Sequence, residues 1–311
     1  MVNRPYDLEN VQPFDHPLLF ISQIQRSGGS LLTRLFDAHP QLATHPTEIF
    51  CLKNRWPGTG DQELTSLFNL KENHNFLRAV FYGINKGNSK KPDGLLFEFN
   101  FDKYESLLDI QQNSDLRSIM DSYFTGFFNA WQNYIFDHNS LKYVTGFAPR
   151  TVKSIWENSE RNSFFETYPD GSIISILRHP KNWYSSAQKH SSAYANPAKA
   201  FEIYKEHANA AIMLKKELPK EVILINFDDL IAQTEDVMKM ICSRIDVTYD
   251  DVLVTPTFNS EPTLSNSSHN RTYQIDKSVL NRTPDVPVDH LDQHTDALKT
   301  YKSAAPLFDD I

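Results

Sequence analysis

Leu18-Leu-Phe-Ile-Ser-Gln-Ile-Gln-Arg-Ser-Gly-Gly-Ser-Leu-Leu-Thr-Arg-Leu-Phe-Asp-Ala-His-Pro40 joins three local signals in one stretch. The apolar run Leu18 to Ile21 predicts a buried strand. Arg26-Ser27-Gly28-Gly29-Ser30 then makes a short loop with a basic residue, two hydroxyls and two glycines. Leu31, Leu32, Leu35 and Phe36 recur at helical spacing, and His39-Pro40 ends that helix. Strand, glycine-rich loop and helix in this order build an anion site. Glycines let the backbone approach, and the helix N-terminus aims free N–H groups at the ligand. Arg26 adds a charged partner able to grip a phosphate or sulfate with two N–H groups. The loop departs from the Gly-x-x-x-x-Gly-Lys-Ser/Thr pattern of ATP-binding loops, because no lysine precedes Ser30. That argues against an ordinary kinase or ATPase.

The chain has 311 residues, 40% hydrophobic and 12% aromatic, enough for a sizeable core. A net charge of −8 argues against non-specific binding of nucleic acid or anionic membrane but leaves room for a local basic pocket. Cys51 and Cys242 stand far apart, so a disulfide framework or zinc site is not expected and no metal is called for. Residues 1–17 lack the apolar core of a signal peptide, and no apolar run approaches the roughly 20 residues that span a bilayer. The Asn-x-Ser/Thr triplets at Asn266, Asn270 and Asn281 are read as incidental. The expected location is a soluble, reducing compartment, the cytoplasm.

Residues 41–60, rich in Pro, Thr, His and Gly, read as a loop carrying His45-Pro-Thr-Glu48. Leu95 to Phe99 predicts a strand, with Glu98 inside it. Leu116 to His138 predicts a long aromatic helix that presents Phe124, Phe127, Trp131 and Ile135 on one face. From Tyr143 onward strands and helices alternate. Strands are expected at 143–147, 172–177 and 222–225, and helices at 151–168, from near 182, at 197–218 and at 234–245, the last capped by Thr234. Such alternation predicts an α/β fold with a mainly parallel central sheet and helices on both faces. Beyond Thr255 the composition loosens but stays locally basic. No repeat or firm boundary appears, so residues 1–311 read as a single domain. Its parts are the loop region 18–40, a helical acceptor-side region at about 45–140, a second motif at 172–190 and a late loop at about 255–290.

That second motif is Ile176-Leu-Arg178-His-Pro-Lys-Asn-Trp-Tyr-Ser-Ser186. Arg178 leaves the end of a buried strand, Pro180 turns the chain, and Ser186 follows eight residues on. Folding that turn back brings Arg178 and Ser186 to one anion.

With these residues in hand, the sequence resembles the sulfotransferases that use 3′-phosphoadenosine 5′-phosphosulfate (PAPS) as donor. Arg26-Ser-Gly-Gly-Ser-Leu-Leu32 resembles their 5′-phosphosulfate loop, and Leu35 to Pro40 continues it in the style of tyrosylprotein and bacterial members. Arg178 to Ser186 resembles their 3′-phosphate motif, and Ile223 to Ile231 their Tyr-Glu-Asp-Leu strand. The resemblance covers roughly residues 18–48 and 143–250. It implies a P-loop sulfotransferase-like fold in which Arg26, Ser27, Gly28, Gly29, Ser30 and Leu31 hold the 5′-phosphosulfate, while Arg178 and Ser186 hold the 3′-phosphate. PAP would be the product. Three departures stand out: Gly29 for the usual Thr, His179 for Asp or Asn, and Phe227 for Tyr.

The implied reaction is in-line transfer of a sulfuryl group to a hydroxyl or amine, with Arg26 and the loop N–H groups stabilising charge. Glu48 is the first candidate for the base, His45 the second and Glu98 the third. Lys181 and Lys189 flank the 3′ motif, and Ser268 and Arg271 stand in the late loop. The expected acceptor is a carbohydrate, a phenol or tyrosine, or a lipid-like molecule. The rival readings are a P-loop kinase for a small molecule or nucleotide and a non-catalytic nucleotide-fold binding protein.

Overall fold

The computed structural model describes residues 10–49, 52, 55–57, 75, 77–79, 97–108, 115–157, 163–263, 273–281 and 291–311. Among these the chain runs β1 (Leu18–Ile21), α1 (Gly29–Phe36), β2 (Leu42–Glu48), α2 (Phe101–Leu107), α3 (Leu116–Ala130), β3 (Tyr143–Phe147), α4 (Thr151–Glu157), α5 (Ser163–Thr167), β4 (Ser172–Leu177), α6 (Pro180–Ala187), α7 (Pro197–Glu217), β5 (Val222–Asn226), α8 (Phe227–Ala232) and α9 (Thr234–Arg244). A two-residue hairpin, β6 (Thr257–Phe258) with β7 (Glu261–Pro262), and α10 (Leu291–Ser303) follow.

Five strands form one sheet in the order β2-β3-β1-β4-β5, and every pairing in it is parallel. The alternation of side chains along each strand divides the core in two. Leu18 and Phe20 face one layer with Ile173, Val222 and Leu224, where α3, α4, α7 and α10 pack. Leu19 and Ile21 face the other with Ile174, Ile223 and Ile225, where α1, α8 and α9 pack. Helices therefore cover both faces, as expected. Each fully buried aliphatic side chain of β1 contributes about 1.5–3 kcal/mol relative to exposure.

Local chemistry fixes the helix starts. Asp115 accepts from the Ser118 N–H at 2.8 Å to cap α3. Asn196 accepts from Lys199 N–H at 3.0 Å to cap α7, and Pro197 supplies its first residue. At α9 the expectation fails. The preceding residue is Gln233, and Thr234 turns its hydroxyl back to the Leu230 carbonyl at 2.7 Å, so it caps nothing.

Other differences have plain physical causes. The expected loop at 41–60 contains strand β2, whose first four residues are buried. Pro46 lacks an N–H for the ladder and is tolerated because β2 is an edge strand with an irregular register between Thr44 and Glu48. The aromatic helix stops at Ala130, and Ile135 beyond it is 90% exposed rather than on the buried face. The single helix expected at 151–168 is two helices, α4 and α5. Of the strand expected at 95–99, Phe99 forms only an isolated bridge with Trp131, and residues 95 and 96 lie outside the described residues. So do Cys51, Asn266, Ser268, Asn270 and Arg271, and most of residues 62–83, whose apolar spacing predicts one or two helices. The loosened stretch beyond Thr255 holds α10, which packs against α6 and α7 with Ala297 fully buried.

Two polar clamps hold the periphery in place. Asp37 at the end of α1 accepts from Thr257 Oγ1 at 3.0 Å and from Ser260 N at 2.9 Å, which fastens the small hairpin. Lys215 and Asp309, only 8% and 6% exposed, pair at 2.8 Å, and Asp309 also accepts the Leu224 N–H.

Candidate functional site

β1 lies between β3 and β4, so the chain crosses to opposite sides of it. In open α/β sheets the crevice beyond the carboxyl ends of strands at such a point is where ligands bind. Three adjacent strands here each release an arginine shortly past that end: Arg26 after β1, Arg150 after β3 and Arg178 after β4.

The turn from β1 into α1 is shaped for an anion. Gly28 sits at φ +102°, a left-handed conformation that L side chains rarely adopt. Its carbonyl accepts the Leu31 and Leu32 N–H groups, both at 3.0 Å, which starts α1 directly behind the loop. Arg26 is also left-handed, at φ 70°, and Arg150 at φ 64°. Strained backbone at non-glycine residues persists where the surroundings over-determine it.

Those surroundings are hydrogen bonds to the second motif. Arg26 Nε donates to Ser186 Oγ at 3.1 Å. Arg178 Nη1 donates to the Arg26 carbonyl at 3.1 Å, and its guanidinium lies 4.3 Å over the Phe227 ring. Trp183 Nε1 donates to the Gln25 carbonyl at 2.7 Å, and the Tyr194 hydroxyl donates to Gln25 Oε1 at 2.7 Å. Tyr204 anchors the far side by donating to the Arg178 carbonyl at 2.7 Å. The two sequence motifs thus meet as one unit.

They open on a cavity of about 220 Å³ lined by Arg26, Gly28, Gly29, Ser30, Leu31, Arg178 and Ser186 on the loop side, with Glu48 and Phe147 toward the edge strands. Phe227, Ile231, Ile275 and Val279 make its apolar wall. Burial alone pulls the Arg26 guanidinium below its ordinary value, and no carboxylate among the described residues pairs with it. A half-buried cation without a carboxylate partner favours an anionic guest. Ser27 is fully buried behind the loop, its hydroxyl without a hydrogen-bond partner among the described residues.

Of the candidate bases, Glu48 lines the cavity at the end of β2. His45 does not. It is fully buried, donates Nδ1–H to the Thr47 carbonyl at 2.9 Å and accepts the Tyr123 hydroxyl at Nε2 at 2.9 Å. Burial lowers its pKa to about 4. Glu98, Lys181 and Lys189 also lie outside the lining.

The reading of the sequence missed Gln23, Gln25, Arg150 and Tyr194. Burial raises the Tyr194 phenol, the Glu48 carboxylate adds to that and Arg150 opposes it, so these three share one electrostatic neighbourhood. Arg150 carried a legible signal, an arginine just past a buried strand, the same signal that flags Arg178. Among the described residues no group of three or more His, Cys, Asp or Glu side chains is placed to hold a metal ion. No described helix is long and apolar enough to cross a membrane.

The chain is similar in structure to the sulfotransferase domain from the Synechococcus PCC 7002 olefin synthase, at 16% identity and a TM-score of 0.54, over 94% of this chain and 96% of that one. It is likewise similar to the sulfotransferase domain from the curacin biosynthetic pathway, at 13% identity and a TM-score of 0.53, over 92% of this chain and 98% of that one. At such identities the likeness speaks for the fold. No curated protein sequence gives a significant match. The model of the Sulfotransferase family matches residues 17–251, a span that includes the whole five-stranded sheet and both anion motifs, and the chain belongs to that family.

Proposed function

We propose that this chain transfers a sulfuryl group from PAPS to a hydroxyl or amine of an acceptor. One observation carries the reading. Arg26 and the N-terminal turn of α1 face the same cavity as Arg178 and Ser186, with a carboxylate, Glu48, on its rim. Two anion-binding ends joined by hydrogen bonds suit a nucleotide with phosphates at both its 5′ and 3′ positions. The apolar wall of Phe227, Ile231, Ile275 and Val279 suits a base between them.

When bound, the donor supplies an activated sulfuryl group whose bond to the 5′-phosphate oxygen breaks as sulfur bonds to the acceptor atom. The protein's part is positioning and charge. The first-turn N–H groups of α1, the Arg26 guanidinium and the Ser30 hydroxyl hold the 5′ end and stabilise charge on the leaving oxygen. Arg178 and Ser186 hold the 3′-phosphate; Ser186 Oγ accepts from Arg26 and keeps its own O–H to donate. Glu48 takes the acceptor's proton and returns it to solvent after transfer.

Thermal unfolding with nucleotides tests the donor. 3′,5′-ADP should raise the unfolding temperature and 5′-AMP should not, because only the former engages Arg178 and Ser186. Equal shifts, or stabilisation by Mg-ATP alone, would sink the reading in favour of a kinase. No shift with any nucleotide would favour a non-catalytic protein. Screening acceptors with labelled PAPS then identifies the hydroxyl or amine.

A further inference from the structure

Gln23 fills the space that a side chain on Gly29 would need. A Cβ on Gly29 would stand 2.0 Å from Gln23 Nε2 and 2.5 Å from the Phe147 ring. Position 29 is therefore bare not because the turn needs glycine's freedom but because the Gln23 carboxamide and the Phe147 ring together fill the space. Gln23 is 1% exposed, and its carbonyl is pinned by the Arg150 N–H at 2.8 Å. Its Oε1 is buried without a hydrogen-bond partner among the described residues. Gln23 nevertheless lines the cavity, as do Arg26, Gly29 and Glu48.

The atom that Gln23 brings to the α1 turn is Nε2, a donor, and a donor at that point of the cavity suits an anionic group. Gln23 touches the α1 turn and shares the cavity with the candidate base, and the group in transit has to pass through that cavity. We propose that Gln23 is a contact for the transferring sulfuryl group, its Nε2–H donating to a non-bridging sulfuryl oxygen and so supplying the polar group that Gly29 lacks. The inference rests on the PAPS reading above. It adds a residue whose contact exists with PAPS but not with 3′,5′-ADP, which has no sulfuryl group.

Calorimetric titration of the full chain with both nucleotides tests it. Gln23→Leu should leave 3′,5′-ADP affinity within about twofold and weaken PAPS by about tenfold, the usual size of one charge-assisted hydrogen bond. A PAPS affinity within twofold of the wild type, or equal loss for both nucleotides, would overturn the proposal. Should the leucine variant fail to fold, Gln23→Met decides, because it keeps the length of the side chain without its N–H groups. It should bind 3′,5′-ADP within about twofold of the wild type and PAPS about tenfold more weakly; full PAPS affinity, or equal loss for both nucleotides, would make Gln23 a packing residue. Binding of 3′,5′-ADP to the unaltered chain reads the donor assignment alone, so its failure is distinct from a failure at Gln23.

Discussion

Arg26 donates its Nε–H to Ser186 Oγ at 3.1 Å, joining two segments 160 residues apart in the chain. In the proposed reading Ser186 would serve two charges at once, the guanidinium on one side and a 3′-phosphate on the other. Ser186→Ala should weaken 3′,5′-ADP by about tenfold while leaving the unfolding midpoint in urea nearly unchanged. Arg178→Lys should weaken it further, by about tenfold to a hundredfold, because lysine reproduces neither the fork of N–H groups nor the stacking on Phe227. Isothermal calorimetry checks both, and full affinity in the lysine variant would remove Arg178 from the site.

Glu48→Gln keeps the shape of the rim and removes the proposed proton acceptor. Nucleotide binding should persist, and sulfuryl transfer to an acceptor found by screening should fall by about 100-fold or more. Unchanged turnover would place the base elsewhere.

Gly28→Ala meets two obstacles, a left-handed backbone and a Phe227 ring carbon 3.0 Å from the new methyl. Stability should drop by about 1–3 kcal/mol, read as a lower urea midpoint, and 3′,5′-ADP binding should weaken with it because the α1 turn loses its shape.

Acid should destabilise the fold through its buried histidines. Burial lowers His45 to about 4 and, with Arg150 and Lys153 adding to it, His207 to about 3. Both ionise more readily in the unfolded chain, near 6.5, so the unfolded state binds more protons below that pH. Their contribution is complete above pH 6.5 and is lost as pH falls toward 4 and 3. At pH 5 each should have lost up to about 2 kcal/mol. Urea midpoints between pH 7.5 and 5 measure the loss, and His45→Gln should flatten the slope.

Much of this architecture could be read from local patterns. The apolar runs of β1, β4 and β5 are buried on both sides, so they stand out without an alternation to decode. The loop at 26–30 and the Arg178 to Ser186 spacing mark their cavity because each is a local turn off a strand. β2 escaped because Thr44, His45 and Pro46 look like a loop, and only its edge position makes them acceptable in a strand. α10 escaped because one small residue, Ala297, does its central packing. The filling of the space beside Gly29 by Phe147 depends on β3 lying against β1, which residue spacing does not show.

The cavity's wiring also bears on how the chain reaches its native state. Four hydrogen bonds that shape the loop span 152, 158, 160 and 169 residues. None can form until β1 and β4 are already side by side, so loop-closure entropy delays the site to the end of folding. A ligand held there would act on the whole cooperative transition and not on a local opening. Amide hydrogens deep in β1 and β4, far from any bound nucleotide, would then exchange more slowly in its presence.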